Sequence, residues 1–213
     1  MKLSFQEFNG INIDAGEITI LQISSPVIYV NLLTGLSQHN NQVTLVDSQY
    51  NNTNWQLVTN LLELDPIKLY STEIVNQVST KLATEGLLSN LKEQLNKLSA
   101  TIGTVLPDGI ATSQEVNIKA LLQLLFYLSS SKLSLGNRIE QLISYHALYR
   151  NKDLLCLTNL QNYLDELSLE QLKENISLNK LALLDIEFNS IPFHSAYANK
   201  AYWIDNDGVL LPL

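Results

Sequence analysis

An α/β head domain interrupted by an inserted α-helical leg domain is the fold class that the sequence predicts, and three observations lead to it. A nearly continuous apolar stretch, Ile18, Ile20, Leu21 and Ile23, is followed at once by Ser24-Ser25-Pro26 and a helical pattern, the texture of a strand covered on both faces that hands over to a helix. From Ser71 to about Leu106 strand signals vanish, and Leu88, Leu91, Leu95, Leu98 and Ile102 recur at spacings of 3, 4, 3 and 4. From Leu154 onward strand and helix signals alternate again. The boundaries that follow are residues 1-65 and 150-213 for the head and 66-149 for the leg.

Each element has its own signal. Leu3 and Phe5 alternate up to Phe8, and Asn9-Gly10 ahead of Ile11 and Ile13 predicts an N-terminal hairpin. After the Ile18–Ile23 strand, either serine can cap orphan amides, and Pro26 suits the first helical turn, where its missing N–H is not needed. That helix runs to about Leu36. Val43 to Asp47 reads as a second strand behind the polar Asn40-Asn41 loop, and Trp55 to Leu64 as a short amphipathic helix ending near Asp65-Pro66.

In the insert, Leu106-Pro107-Asp108-Gly109 breaks the long helix and a second begins near Ser113. Leu121 to Leu128 is apolar almost all round, which demands burial on several sides. Ser129-Ser130-Ser131 and Gly136-Asn137 precede a third helix carrying Ile139, Leu142, Ile143 and Leu148. Beyond it, Leu154 to Leu157 is a strand, Ser168-Leu169-Glu170-Gln171 a capping box that opens a helix, and Leu181 to Ile186 a strand. Tyr202–Ile204 and Val209–Leu211 flank Asp207-Gly208 as a terminal hairpin.

The chain has 213 residues, with 13 Lys+Arg against 21 Asp+Glu, a net charge of −8 and a pI of about 4.8. A surface negative on average repels phosphate, so any nucleic-acid site must be a local basic zone. Charged residues make up only 16% of the chain, below the globular average of roughly 25%, and Leu alone supplies about a fifth of it; both point to much helix and much buried or subunit-facing surface, hence an oligomer. Cys156, the one cysteine, sits in an apolar run and is expected to be a small core residue of a protein in a reducing compartment. There is no basic-then-apolar leader pattern and no apolar run of bilayer-spanning length, so a soluble cytoplasmic protein without membrane contact is expected.

The turn after the first buried strand is where a phosphate-binding loop would lie, because helix N-terminal amides favour anions. Ile23-Ser24-Ser25-Pro26 has neither the glycines that let backbone wrap a phosphate nor a Lys-Ser/Thr pair. Leu183-Leu184-Asp185-Ile186-Glu187 ends in acids, but without a partner loop they are expected to be edge or surface residues. His39, His146 and His194 have no second ligand at metal spacing, and no Gly-x-Ser-x-Gly elbow is present, so no catalytic residue is assigned and no enzymatic activity is expected. Asp108 and Glu115 are suited either to a hard cation such as calcium or to turn and cap formation. Lys81, Lys92, Lys97, Lys119, Lys132 and Arg138 are the cations of the helical block, either a solvated helix face or phosphate contacts.

The order of these pieces resembles the small adaptation protein family of type II-A CRISPR-Cas systems, the ring-forming, DNA-end-binding member of the spacer-acquisition machinery. The resemblance lies in Gly16-Glu17-Ile18-Thr19-Ile20-Leu21, in Leu57 to Asp65 just before the insert, in Lys152 to Leu160 with Tyr163-Leu164 and the helix through Leu172, and in Leu181 to Glu187. It covers nearly the whole length. It implies a degenerate nucleotide-hydrolase-like head with an inserted α-helical leg, a homotetrameric ring around the ends of linear double-stranded DNA, and bound calcium as cofactor. The partners it implies are the two core CRISPR integration proteins and the effector nuclease.

On that footing the DNA-binding candidates are Lys92, Lys97, Lys119, Lys132 and Arg138, meeting phosphate without reading bases. The calcium candidates are Asp108 and Glu115, and Leu88, Leu91, Leu95, Leu98 and Ile102 pack leg helices within or between subunits. The alternative is a protein-only adaptor whose helical insert docks a partner without binding DNA.

Overall fold

A computed structural model describes residues 1–5, 8–39, 42–105, 120 and 133–213. The chain divides into a head unit, Met1–Leu64 with Ser134–Leu213, and an inserted unit, Asp65–Leu133. The strands of the head are β1 (Lys2–Phe5), β2 (Phe8–Asn12), β3 (Ile18–Ile23), β4 (Val43–Val46), β5 (Trp55–Val58), β6 (Leu154–Thr158), β7 (Ala182–Phe188), β8 (Lys200–Ile204) and β9 (Leu210–Pro212). They form a three-stranded sheet, β2-β1-β4, and a six-stranded sheet, β5-β6-β7-β3-β8-β9, parallel except for β9.

Sequence explains why β3 sits in the middle. All six of its residues are buried, as the unbroken apolar run demands, and it pairs with β7 on one side and β8 on the other. Leu21 and Ile23, Cys156, Leu184 and Ile186 join the side chains of helix α1 (Pro26–Gln38) and of the small sheet in one core cluster. In α1, Ser25 accepts from the Ile28 amide and Pro26 occupies the first turn, as the sequence predicts. Asn9-Gly10 lies inside β2 rather than in the turn of the hairpin. Gly10 has φ +74°, and the Lys2 side chain runs where a Cβ would stand, so the glycine serves a close approach instead of a tight turn.

Trp55 to Leu64 is not a helix. Trp55, Leu57, Val58 and Leu61 suit either period, and what decides is pairing: Trp55↔Leu154 through Val58↔Leu157 makes β5 an edge strand beside β6, followed by a single 3-10 turn at Leu61–Glu63. The Trp55 indole donates to the Leu36 carbonyl at 2.8 Å and its ring stacks on His39 at 4.6 Å, which fastens β5 to the end of α1.

The inserted unit begins where Asp65 caps α2 (Pro66–Leu69) by accepting from the Lys68 amide at 3.1 Å. Helices α3 (Ser71–Thr84) and α4 (Leu87–Val105) are separated at Gly86, whose φ of +70° is left-handed. Leu88, Leu91 and Leu95 of α4 pack with Val75 and Val78 of α3. The heptad stripe is thus spent, over its first half, on an intramolecular helix pair.

The third predicted leg helix, α5 (Leu135–Tyr149), belongs to the head, so the second boundary moves from residue 150 to Ser134. Its Ile139, Leu142 and Ile143 are buried, and it packs on α6 (Glu166–Asn179), whose Leu169, Leu172 and Ile176 are buried in turn. The reason is partner chemistry: an apolar stripe does not say which apolar surface it meets. Helix α6 starts two residues before Ser168, with Asp165 as its cap at 2.8 Å from the Ser168 amide, so the expected box is displaced by a stronger acceptor.

Both tryptophans, Trp55 and Trp203, lie in the head sheet, so intrinsic fluorescence reports head unfolding. Leu142→Ala removes a fully buried side chain of α5 and is expected to destabilise that transition by about 2–5 kcal/mol in urea. An unshifted fluorescence midpoint would place α5 outside the head's cooperative unit.

Candidate functional site: a sealed acidic pair at the strand ends

In an open parallel sheet, ligands settle beyond the carboxyl ends of strands where successive connections leave in opposite directions. Here that point is the end of β3 and β7. The chain leaves β3 through α1 and reaches β5 on one side, whereas β7 is followed by β8 on the other side of β3. Register brings Gln22 beside Glu187 and Ile23 beside Phe188.

The β3–α1 turn is already occupied by its own chain. The Ser24 amide and hydroxyl both donate to the Ile204 carbonyl, at 2.9 and 3.1 Å, and the Ser25 hydroxyl is the helix cap. Gln22, fully buried, exchanges two hydrogen bonds with the Phe193 backbone, donating to its carbonyl at 2.6 Å and accepting from its amide at 2.9 Å.

Asp185 and Glu187 overturn the expectation of edge or surface acids. They lie on one face of an interior strand, with relative exposures of 0% and 2%. Asp185 Oδ1 accepts from the Leu160 amide at 3.4 Å and Oδ2 from the Tyr197 hydroxyl at 2.5 Å, while Glu187 Oε1 accepts from the Gln161 amide at 3.3 Å. Burial, then the neighbouring Glu187 charge, pushes Asp185 well above the usual carboxylate range; burial also raises Glu187, with the Asp185 and Gln161 bonds pulling the other way. The Tyr197 phenol is likewise pushed up by burial and by Asp185.

Asn159 closes the site from the end of β6. In the left-handed region at φ +54°, it donates to the Tyr29 hydroxyl at 3.0 Å and accepts from the Phe188 amide at 3.2 Å. The Tyr29 and Phe188 rings lie 5.5 Å apart. These groups fasten loops to the strand ends, and among the described residues no group of three or more His, Cys, Asp or Glu is placed to hold a metal ion. Sequence reading missed Gln22, Tyr29, Asn159 and Tyr197, because their partners stand far away in the chain.

Cys156 is buried as expected, with its thiol pushed up by burial. His146 is buried in α5 against the Asp153 carbonyl at 3.1 Å, and burial lowers its pKa. Among the predicted DNA contacts, Lys92 and Lys97 are exposed on α4, and Lys97 pairs with Glu93 at 2.6 Å. Arg138 lies in the head unit, where its guanidinium donates to the Leu62 and Leu64 carbonyls at 3.0 Å each. Lys119 and Lys132, and the calcium candidates Asp108 and Glu115, lie outside the described residues. Of the predicted interface stripe, Leu88, Leu91 and Leu95 are half-buried against α3, whereas Leu98 and Ile102 are 56% and 47% exposed. No helix among the described residues is long and apolar enough to cross a membrane.

No protein-family model matches the sequence, and comparison with curated proteins gives no match. In structure the chain is similar to Stu0660 of Streptococcus thermophilus, with a TM-score of 0.50 and 16% identity, over 100% of this chain and 76% of that one. A putative ABC transporter ATP-binding protein from Pyrococcus furiosus matches at a TM-score of 0.39 and 9% identity, over 95% and 93% of the two chains. The first likeness is one of fold.

The raised Asp185 pKa has a definite pH signature. A carboxyl that titrates higher in the folded than in the unfolded state contributes most at acid pH, and its contribution is lost as pH rises from about 4 toward the folded value. Asp185→Asn cannot ionise. Its unfolding free energy relative to the wild-type protein is expected to improve between pH 4 and pH 8 in urea titrations. A pH-independent difference would mean that Asp185 titrates as an ordinary acid.

Proposed function

We propose that the protein is a non-catalytic, ring-forming clamp on the ends of linear double-stranded DNA, acting in CRISPR spacer acquisition. The observation that carries this reading is the state of the β3 and β7 strand ends. The frame is that of a nucleotide-hydrolase-like head, yet its phosphate turn has no glycine or lysine, and the acids that would face magnesium are consumed by internal hydrogen bonds. Such a head keeps a scaffold's shape without a means to cradle phosphate, which suits an assembly role. The fold likeness to Stu0660 over the whole chain supports the order of head and insert that the family resemblance implies.

In this reading a homotetramer repeats each protomer's few cations around one opening, so a net charge of −8 is compatible with a local positive zone. Lys92, Lys97, Lys119 and Lys132 meet phosphate oxygens. The Arg138 guanidinium is already committed to two carbonyls, so its first role is to hold the head's exit at Leu62–Leu64. Calcium held by Asp108 and Glu115 steadies the ring, and the two integration proteins and the effector nuclease are its partners in the cytoplasm. The exposed Leu98 and Ile102 favour a further apolar contact for α4, with another subunit or, in the adaptor alternative, with a foreign helix.

Mobility shifts with linear and closed circular duplex, with and without calcium, together with mass in solution, test the clamp. Binding is expected for linear duplex only, in an oligomer, with affinity falling steeply as salt rises. Equal binding to both DNA forms would sink the end-clamp reading, and DNA-free binding of a partner helix would favour the adaptor. The cations separate by role. Lys92→Glu with Lys97→Glu is expected to weaken DNA binding at least tenfold at unchanged stability. Arg138→Ala is expected to cost about 1–3 kcal/mol of head stability, read by tryptophan fluorescence.

A further inference from the structure

Beside the buried acids the head holds a cleft of about 340 Å³, between the start of α6 and the segment that runs from β7 to β8. Ligand pockets span roughly 300–1,000 Å³, so this one has room for a single side chain or a small molecule. Its floor is apolar: Leu169 and Tyr197 are buried and Phe193 is half-buried. Its rim carries Glu166 and Glu170, both exposed, and no lysine or arginine lines it.

The helix alone accounts for only one of these acids. Glu166 stands in the first turn of α6, where the helix dipole favours a carboxylate. Glu170 stands beyond that turn and four residues on, the spacing at which like charges share a helix face and repel. Among the described residues neither carboxylate has an ion pair or a hydrogen bond; Lys173, the next cation along the helix, donates instead to the Ala196 carbonyl at 3.4 Å.

The opposite wall is fixed before any ligand arrives. Gln22 holds the Phe193 backbone through bonds of 2.6 and 2.9 Å, and Asp185 holds the Tyr197 hydroxyl at 2.5 Å. The buried polar groups of the strand ends thus brace one side of an open cleft, and a braced wall lowers the ordering cost of binding.

We propose that this cleft docks an arginine side chain of another protein, its alkyl stem against Leu169 and Phe193 and its guanidinium between Glu166 and Glu170. Charge selects the class. Two unpaired carboxylates repel phosphate and other anions, and the Ser168 amide at the helix start is already taken by Asp165 at 2.8 Å. The apolar floor favours a cation with an apolar stem over a hydrated metal ion. A planar guanidinium has donors enough for two carboxylates and stacks on an aromatic ring, which suits Phe193 better than a compact ammonium does. The exposed rim favours a side chain offered from a partner's surface over a free small molecule, which needs most of its own surface buried. The cleft belongs to the head and Lys92 and Lys97 to the inserted unit, so arginine binding and DNA binding are measured separately.

His194 also lines the cleft and supplies the reporter. The peptide acetyl-Gly-Leu-Arg-Leu-Gly-amide, and its counterpart with citrulline, the uncharged isostere of arginine, are titrated against the full chain while the His194 ring signals are followed by NMR. The arginine peptide is expected to shift those signals saturably and to bind at least tenfold more tightly than the citrulline peptide. Glu166→Gln with Glu170→Gln is expected to lower its affinity at least tenfold at an unchanged or raised Tm, whereas Glu174→Gln, on the same helix but outside the cleft, leaves the affinity unchanged. The proposal is overturned if the citrulline peptide binds as tightly on the wild-type chain, if the double variant keeps its affinity, or if Glu174→Gln costs as much. It is equally overturned if n-butylguanidinium binds more tightly than the peptide, which would make the cleft a small-molecule site, or if calcium shifts the same signals and displaces the peptide.

Discussion

Two carboxyls buried side by side on β7 set the terms for the surrounding head. Ionising both Asp185 and Glu187 is costly at this depth, because the desolvation of each charge costs on the order of several kcal/mol and their like charges add to it. What compensates them is a ring of donors drawn from elsewhere: the amides of Leu160 and Gln161 and the hydroxyl of Tyr197. Those donors are the first residues after β6 and part of the segment between β7 and β8. Satisfying the pair therefore fixes how the chain leaves β6 and where it goes before β8, and Asn159 and Gln22 extend the same fastening to α1 and to Phe193.

That constraint also bears on function. At the position where an α/β nucleotide enzyme leaves its strand ends open to phosphate and metal, this head closes them with its own backbone. Ser24 is bonded to Ile204, Ser25 caps α1, and the acids face inward. Internal hydrogen bonds occupy the turn and the acids at these strand ends, while Lys92, Lys97, Leu98 and Ile102 are exposed on the inserted unit.

Much of the head was legible in the sequence because its signals are local. An apolar run with no polar interruption makes β3 an inner strand; serine and proline in succession start α1; Asp207-Gly208 between two short strands makes the β8–β9 hairpin. Where a segment's pattern suited two partners, local reading failed. Trp55 to Val58 has the spacing of a helix and became a strand because β6 offered a free edge, and α5 carries a stripe that serves any apolar surface and meets α6. The empty phosphate turn was plain from Ser24-Ser25-Pro26 alone, since missing glycines need no partner to be recognised.

The amino-acid order by itself determined which stretches were strand or helix where the periodicity was unambiguous, the net charge of −8, the lack of phosphate-loop chemistry after β3 and the apolar stripe of α4. Only the tertiary structure decided that Asp185 and Glu187 are buried, that Gln22, Tyr29, Asn159 and Tyr197 form their surroundings, and that Arg138 holds carbonyls. The reason is distance along the chain. The Asp185 and Glu187 partners lie 12 to 26 residues away and the Arg138 carbonyls 74 and 76 away, so the energy of each side chain depends on neighbours that no window of sequence contains.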